Sequence, residues 1–313
     1  MRTILVTGAA GFVGSHVCDR LLAVGERVIG VDDLSRGRAS NLVGARSHGR
    51  SFTFRAVDIR SADLREVFDA YSPEVVMHLA AQSSVSLSVA DPVMDASLNV
   101  IGLLNVLECA ASVGCRKVVF AASGGTLYGA PRKLPVSETA RRNLGRVSPY
   151  GISKAAAIEY MGFYRKQRGL DFTALALANV YGPRQDPFGE AGVVSIFSAK
   201  MLKGETPTIF GHGEQTRDYV FVVDVADAFR LAATRGPGAI VNIGTGVETS
   251  VNRVYRLLAR ITGFRGSPRH GPWREGDLSR SSLDVGLAAR VLDWRPRTGL
   301  GQGLRATVDS MRP

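Results

Sequence analysis

The chain has 313 residues, 45% hydrophobic, 21% charged and 7% aromatic; at roughly 150 residues per domain it predicts about two domains with a sizeable core. No residue type dominates a stretch, which argues against a disordered, collagen-like or fibrous protein. Lys and Arg outnumber Asp and Glu by 39 to 28, and the net charge of +11 suits nucleic acid, anionic lipid or a phosphorylated small molecule without selecting among them.

In chain order, Arg2–Thr7 is a short β-prone run, too brief for the apolar region of a signal peptide, so a cytoplasmic location is expected. Strand-length apolar runs follow at 27–31, 51–56, 75–79, 117–121 and 172–178, separated by helical spacing at 15–24 and 96–113. Runs as apolar as Val75-Val76-Met77-His78-Leu79 suit strands buried on both faces, which occur mainly in parallel sheets covered by helices. The predicted fold is therefore α/β, a doubly wound parallel sheet of the Rossmann type with a smaller C-terminal α/β domain. Beyond Asn179, prolines and glycines such as Pro183, Pro187, Gly211 and Gly213 punctuate shorter elements. Strand-like runs at 220–223 and 239–243 suggest that the chain crosses back near 218–245. The expected domains are 1–179 for a cofactor and 180–313 for a substrate. Cys18, Cys109 and Cys115 lack C-x-x-C spacing and the five histidines are scattered, so neither a disulfide framework nor a metal is expected.

Immediately after the first run comes Gly8-Ala9-Ala10-Gly11-Phe12-Val13-Gly14, followed by a helical pattern. Glycines at a strand-to-helix turn let backbone N–H groups and the helix N-terminus approach a pyrophosphate. A tight turn alone would look the same, but the second strand ends in Asp32-Asp33, placed to accept from an adenosine ribose and to repel a 2′-phosphate. NAD is favoured over NADP, although Arg36 and Arg38 nearby could neutralise a phosphate. Asp58-Ile59 closes the third strand, where an adenine ring would lie.

Tyr150 and Lys154 stand four apart and share one helix face. An ammonium beside a phenol favours phenolate, so Tyr150 is expected to have a lowered pKa and to act as a general base. Ser123-Gly124-Gly125-Thr126 follows a buried strand at its carboxyl end, where ligands bind in open α/β sheets, and offers a hydroxyl.

Together with His78-Leu79-Ala80-Ala81, Asn99, Asn179-Val180-Tyr181-Gly182-Pro183-Arg184-Gln185, Thr216-Arg217-Asp218-Tyr219 and Arg274-Glu275-Gly276-Asp277, these motifs resemble the extended short-chain dehydrogenase/reductase family over nearly the whole chain. The nucleotide-sugar epimerase branch, the UDP-glucose 4-epimerases above all, is most similar. The resemblance implies that Tyr150 takes the sugar 4-hydroxyl proton while C4 gives hydride to NAD. The transient 4-keto sugar then turns, and NADH returns hydride to the opposite face. Lys154 would depress the Tyr150 pKa and hold the nicotinamide ribose. Leu79, Ala80, Ala81, Gln82, Asn99 and Ala121 would complete the cofactor site. The best-known epimerases carry their catalytic hydroxyl at the position of Gly124; here Thr126 or Ser123 must supply it, and Thr126 is the expected choice.

For the substrate, the resemblance implies diphosphate contacts from Arg217, Arg274 and Asn179, and Phe210 beside the uracil. Gln82, Ser123, Gly124, Thr126 and Tyr150 would surround the sugar. Ser281 stands where a bulky residue restricts the pocket, so N-acetylhexosamines are expected to be tolerated. Gly125-Thr126 replaces the acidic pair of the related dehydratases, which disfavours dehydration. The alternatives are a UDP-glucuronate 4-epimerase, another NAD-dependent sugar-nucleotide epimerase or, more remotely, a non-catalytic NAD-binding regulatory protein. A homodimer packed through the helices near 96–113 and 150–168 is expected, with no nucleic-acid or membrane partner.

Overall fold

The computed structural model describes residues 1–129, 131, 133–140, 148–188, 192–273 and 278–312. Its centre is a seven-stranded sheet in which every pairing is parallel. The first six strands are β1 (Thr3–Thr7), β2 (Arg27–Asp32), β3 (Phe52–Ala56), β4 (Val75–His78), β5 (Lys117–Ser123) and β6 (Asp171–Leu177). Strands β7 (Asn179–Tyr181), β8 (Thr208–Phe210) and β9 (Thr216–Phe221) precede β10 (Ala239–Ile243), which returns to the large sheet; β11 (Glu248–Ser250) and β12 (Arg269–Gly271) follow.

The spatial order of the large sheet is β10-β6-β5-β4-β1-β2-β3. Strand order reverses between β1 and β4, and a ligand crevice opens at the carboxyl ends of the strands at such a switch point. The central strands are apolar throughout because both faces are covered: Ile4, Leu5, Val6, Val75, Val76 and Met77 have no exposed surface. One face packs Val17 and Leu21 of the Phe12–Leu22 helix with Val225 and Phe229 of the Val222–Ala232 helix. The other packs Phe68, Leu103, Val106, Ile158 and Met161, from three further helices. Full burial of such side chains stabilises by about 1.5–3 kcal/mol each before the entropy of ordering is subtracted.

The strand expected at 220–223 ends earlier. Phe221 closes β9 and Val222 opens a helix, since Val222, Val225, Ala226 and Phe229 are buried together at helical spacing. β9 lies between β7 and β11 in a separate three-stranded sheet; the return to the large sheet is made by the Val222–Ala232 helix and β10. The helix expected from residue 96 begins at Pro92, capped by Asp91, whose side chain accepts from Met94 N at 2.9 Å. It runs to Ser112 with a π-turn at Ser97–Ile101.

Beyond the large sheet, a third core gathers Phe197, Met201, Tyr255, Leu258, Leu304 and Val308 beneath Tyr181 and Tyr219.

Candidate active site

The turn after β1 is too tight for side chains. Gly8 has φ +67°, and a Cβ there would lie 2.7 Å from Ala80 N; a Cβ on Gly14 would lie 2.0 Å from Gly8 O. Gly11 caps the Phe12–Leu22 helix, so the first-turn amides are available to an anion. Asp32 Oδ2 accepts from Ala10 N at 2.9 Å and Oδ1 from Leu34 N at 2.8 Å. That carboxylate, whose pKa burial pushes up, therefore ties the glycine turn to the end of β2. Asp33 instead accepts from Ser35 N at 2.9 Å. Asp58 pairs with Arg60 at 2.6 Å, and that hydrogen bond holds its carboxyl below the usual range.

At the switch point the Thr7 hydroxyl accepts from Leu79 N and Ala80 N, each at 3.2 Å, and lies 2.8 Å from His78 Nδ1. Burial, with the Lys154 charge, pushes the His78 pKa down to about 3, so the imidazole is neutral. With its lone pairs taken by two amides, Thr7 gives its proton to Nδ1.

The Pro149–Arg168 helix starts at the Ser148 cap, which accepts from Gly151 N at 3.4 Å. Its buried face carries Tyr150 and Lys154, 9% and 3% exposed. Lys154 Nζ sits 4.6 Å from the Phe120 ring centroid and 5.7 Å from that of Tyr150. The expected lowering of the phenol pKa is reversed here. Burial, reinforced by the Asp95 charge and opposed by a hydrogen bond with Ser123, pushes Tyr150 up to about 12. Burial likewise pulls Lys154 down to about 8, against Asp95. Desolvation dominates because both groups lie in the same dry corner.

The hydroxyl beside Tyr150 belongs to Ser123 rather than to Thr126. Ser123 ends β5 and its side chain hydrogen-bonds to the phenol. Thr126 lies in the one-turn helix Gly124–Tyr128 and donates back to Ser123 O at 3.3 Å. A side chain at position 124 would have to displace Leu283, since a Cβ there would lie 2.6 Å from Leu283 Cδ1.

A cleft of about 660 Å³ runs from the glycine turn to the Tyr150–Lys154 pair. Gly8, Gly11, Phe12, Val13 and Gly14 line one end with Asp32, Asp33, Asp58 and Ile59. Leu79, Ala80, Ala81, Gln82, Ala121 and Ser123 line the middle and the Tyr150 end. Asn99 stands behind that wall: its Oδ1 accepts from Gln82 N at 3.0 Å and its Nδ2 donates to Gln82 O at 2.9 Å, so it positions Gln82.

The expected substrate residues are more dispersed. Asn179 opens β7 next to the lining residues Ala178 and Val180. Arg217 lies in neighbouring β9, its Nη1 donating to Thr216 O at 2.7 Å. Phe210 ends β8 over Gly271. Ser281 is half-buried two residues before Leu283, and Gly124 and Thr126 sit just beyond the cleft's β5 wall. Arg274 lies outside the described residues.

Sequence reading passed over Asp95 and Ser153, which are hydrogen-bonded to each other behind the catalytic face. The spacing of Asp95 and Asn99 on one helix face was the available signal. The loop 35–38 also reaches the cleft, anchored by Arg38 N donating to Ala10 O at 3.0 Å.

The family described as NAD dependent epimerase/dehydratase matches residues 4–244. The chain belongs to that family. Its cofactor is NAD, and the glycine turn, with room for backbone but for no Cβ, fits a pyrophosphate. A UDP-glucose 4-epimerase of Mycolicibacterium smegmatis is 50% identical over 313 residues, covering 100% of this chain and 99% of the relative. A crystal structure of UDP-glucose 4-epimerase with UDP-glucose from Thermotoga maritima matches with a TM-score of 0.94 at 45% identity, covering 98% of each chain. That of the Thermus thermophilus enzyme in complex with NAD matches at 0.90 and 40%, again covering 98% of each. This member of the epimerase/dehydratase family thus shares its fold with those enzymes over almost its full length.

Proposed function

We propose that this protein is an NAD-dependent UDP-glucose 4-epimerase that interconverts UDP-glucose and UDP-galactose. The convergence of Tyr150, Lys154 and Ser123 at the catalytic end of the cleft carries the reading. The likeness to UDP-glucose 4-epimerases supports it.

Gly11, Phe12, Val13 and Gly14 would hold the pyrophosphate of the cofactor, Asp32 and Asp33 the adenosine ribose, and Asp58-Ile59 the adenine. NAD, when bound, supplies an acceptor for the C4 hydride and returns it, so the reaction has no net redox change. Tyr150 takes the proton of the 4-hydroxyl as C4 is oxidised and gives it back after the sugar turns. Ser123 hydrogen-bonds to the phenol and, in this reading, orients the 4-oxygen. Lys154, a buried cation beside the ring, would stabilise the phenolate against the burial and the Asp95 charge that raise its pKa. Arg217, Asn179 and Arg274 would bind the diphosphate and Phe210 the uracil, with residues 1–179 and the return near 218–245 forming the cofactor unit and 180–313 the substrate unit. Ser281, a small residue, would leave room for an N-acetyl group.

The reading includes a cytoplasmic homodimer. The Pro92–Ser112 helix is apolar and long enough to cross a membrane by composition and length only. It packs on the Pro149–Arg168 helix within the fold, and the two expose Val93, Ile101, Ile152 and Phe163 at 79%, 57%, 50% and 53%. A second copy of the same pair would cover these side chains.

Purified protein incubated without added NAD with UDP-glucose, UDP-N-acetylglucosamine or UDP-glucuronate should yield the C4 epimer of the first two. Conversion of UDP-glucuronate alone would replace this reading with the glucuronate epimerase. Stoichiometric bound NAD with no turnover on any of them would favour a binding protein.

A further inference from the structure

Asp95 is a fully buried carboxylate to which neither the family motifs nor the mechanism above gives a role. It lies one helical turn before Asn99. Its Oδ1 accepts from Asn99 Nδ2 at 3.0 Å and from Gln82 Nε2 at 3.1 Å, and its Oδ2 accepts from Ser153 Oγ at 2.7 Å. All three donors are neutral, and both oxygens act as acceptors, the arrangement that suits an ionised carboxylate. A buried negative charge is costly unless a positive one shares its site.

Lys154 is a candidate for that positive charge. It follows Ser153 on the helix packed against Asp95 and is itself 3% exposed. The other groups around it are the Tyr150 phenol on its own helix, the Phe120 ring of β5 and the neutral His78 imidazole of β4. Among the described residues, Asp95 is the anion whose charge acts on Lys154.

We propose that Asp95 is a positioning residue: it is the buried counter-charge that keeps Lys154 an ammonium, and through Ser153 and the Asn99–Gln82 pair it fixes the Tyr150–Lys154 helix to the cleft wall. The Coulombic effect of Asp95 on Lys154, which acts against desolvation, agrees with this. The same negative charge opposes ionisation of Tyr150, so the carboxylate favours the lysine cation at the expense of the phenolate. The proposal deepens the epimerase reading and rests on it only for the activity measurement.

The test uses the full chain with lysine Cε labelled by ¹³C and the Lys154 resonance assigned from Lys154→Arg. In Asp95→Asn, Lys154 should lose its proton about one pH unit or more lower than in the wild type. In Ser153→Ala, which keeps the carboxylate, the titration should stay in place. Asp95→Ser is a second uncharged variant should the first fail to fold, with the same shift expected. An unchanged Lys154 titration in either folded Asp95 variant overturns the proposal. The alkaline limb of kcat on UDP-glucose should move in the same direction with little change in KM. A Lys154 shift in a protein whose wild type epimerises no sugar nucleotide would support the counter-charge and refute the epimerase reading.

Discussion

Leu283 fills the space beside Gly124, its Cδ1 only 2.6 Å from where a Cβ would stand. Leu283 is itself 2% exposed and belongs to the core beneath the Gly124–Tyr128 turn, so it has little room to yield. Gly124→Ser should therefore destabilise the protein by about 1–3 kcal/mol through overpacking. Adding Leu283→Ala should recover part of that loss. Denaturant unfolding of the single and double variants measures it, and a fully stable Gly124→Ser protein would contradict the contact.

With Leu283 against position 124, the proposed mechanism gives the catalytic hydroxyl to Ser123. Ser123→Ala should lower kcat by about 10²–10³, the cost of one oriented donor at a reacting oxygen. Thr126→Ala should be mild, because that hydroxyl is turned back onto the Ser123 carbonyl. Steady-state turnover on UDP-glucose separates the two, and a larger loss in the Thr126 variant would return the role to Thr126.

Tyr150→Phe keeps the ring against Lys154 and removes only the acid–base oxygen. NAD content should be retained, while epimerisation falls by about 10²–10⁴. Extracted cofactor per chain and initial rate, measured on the same preparation, test both halves. Near-normal turnover would remove Tyr150 from the role of base.

His78 makes stability pH-dependent. Its folded-state pKa of about 3 lies below the ordinary imidazole value of 6.5, so the unfolded chain binds a proton in acid that the folded chain refuses. As pH falls below the unfolded value, stability should drop by about 1.4 kcal/mol per pH unit from this group alone, until the folded pKa is reached. The effect is absent above the unfolded value. His78→Asn should remove one proton from the slope of unfolding free energy against pH in mild acid; equal slopes for the two proteins would refute the assignment.

The large sheet is legible in the sequence because its strands are buried on both faces, as the Val75–Met77 run records in β4. The small sheets are not, since β7, β8, β11 and β12 have three residues each, too few to display an alternation. Val222 and Val223 look like strand residues, and only the partners at helical spacing, Val225 and Phe229, reveal the helix. In the site, spacing finds Tyr150 and Lys154 because a helix converts separation into a shared face. It does not separate Ser123 from Thr126, whose directions depend on where β5 ends. Nor does it give the sign of the Tyr150 shift, which burial and Asp95 set against the Ser123 hydrogen bond.

The exposed apolar face of the two neighbouring helices gives the last expectation. Ile101 and Phe163 are 57% and 53% exposed, and in a dimer built through these helices they would be buried against their counterparts in the other copy. A charge placed there would be desolvated on association and, in a two-fold pairing, repelled by its twin. Ile101→Glu with Phe163→Glu should therefore give a folded monomer by light scattering coupled to size exclusion. Tyr150 lies on the buried face of the Pro149–Arg168 helix, away from exposed Phe163, so NAD should remain bound. A variant that stays dimeric would show that these helices are not the interface.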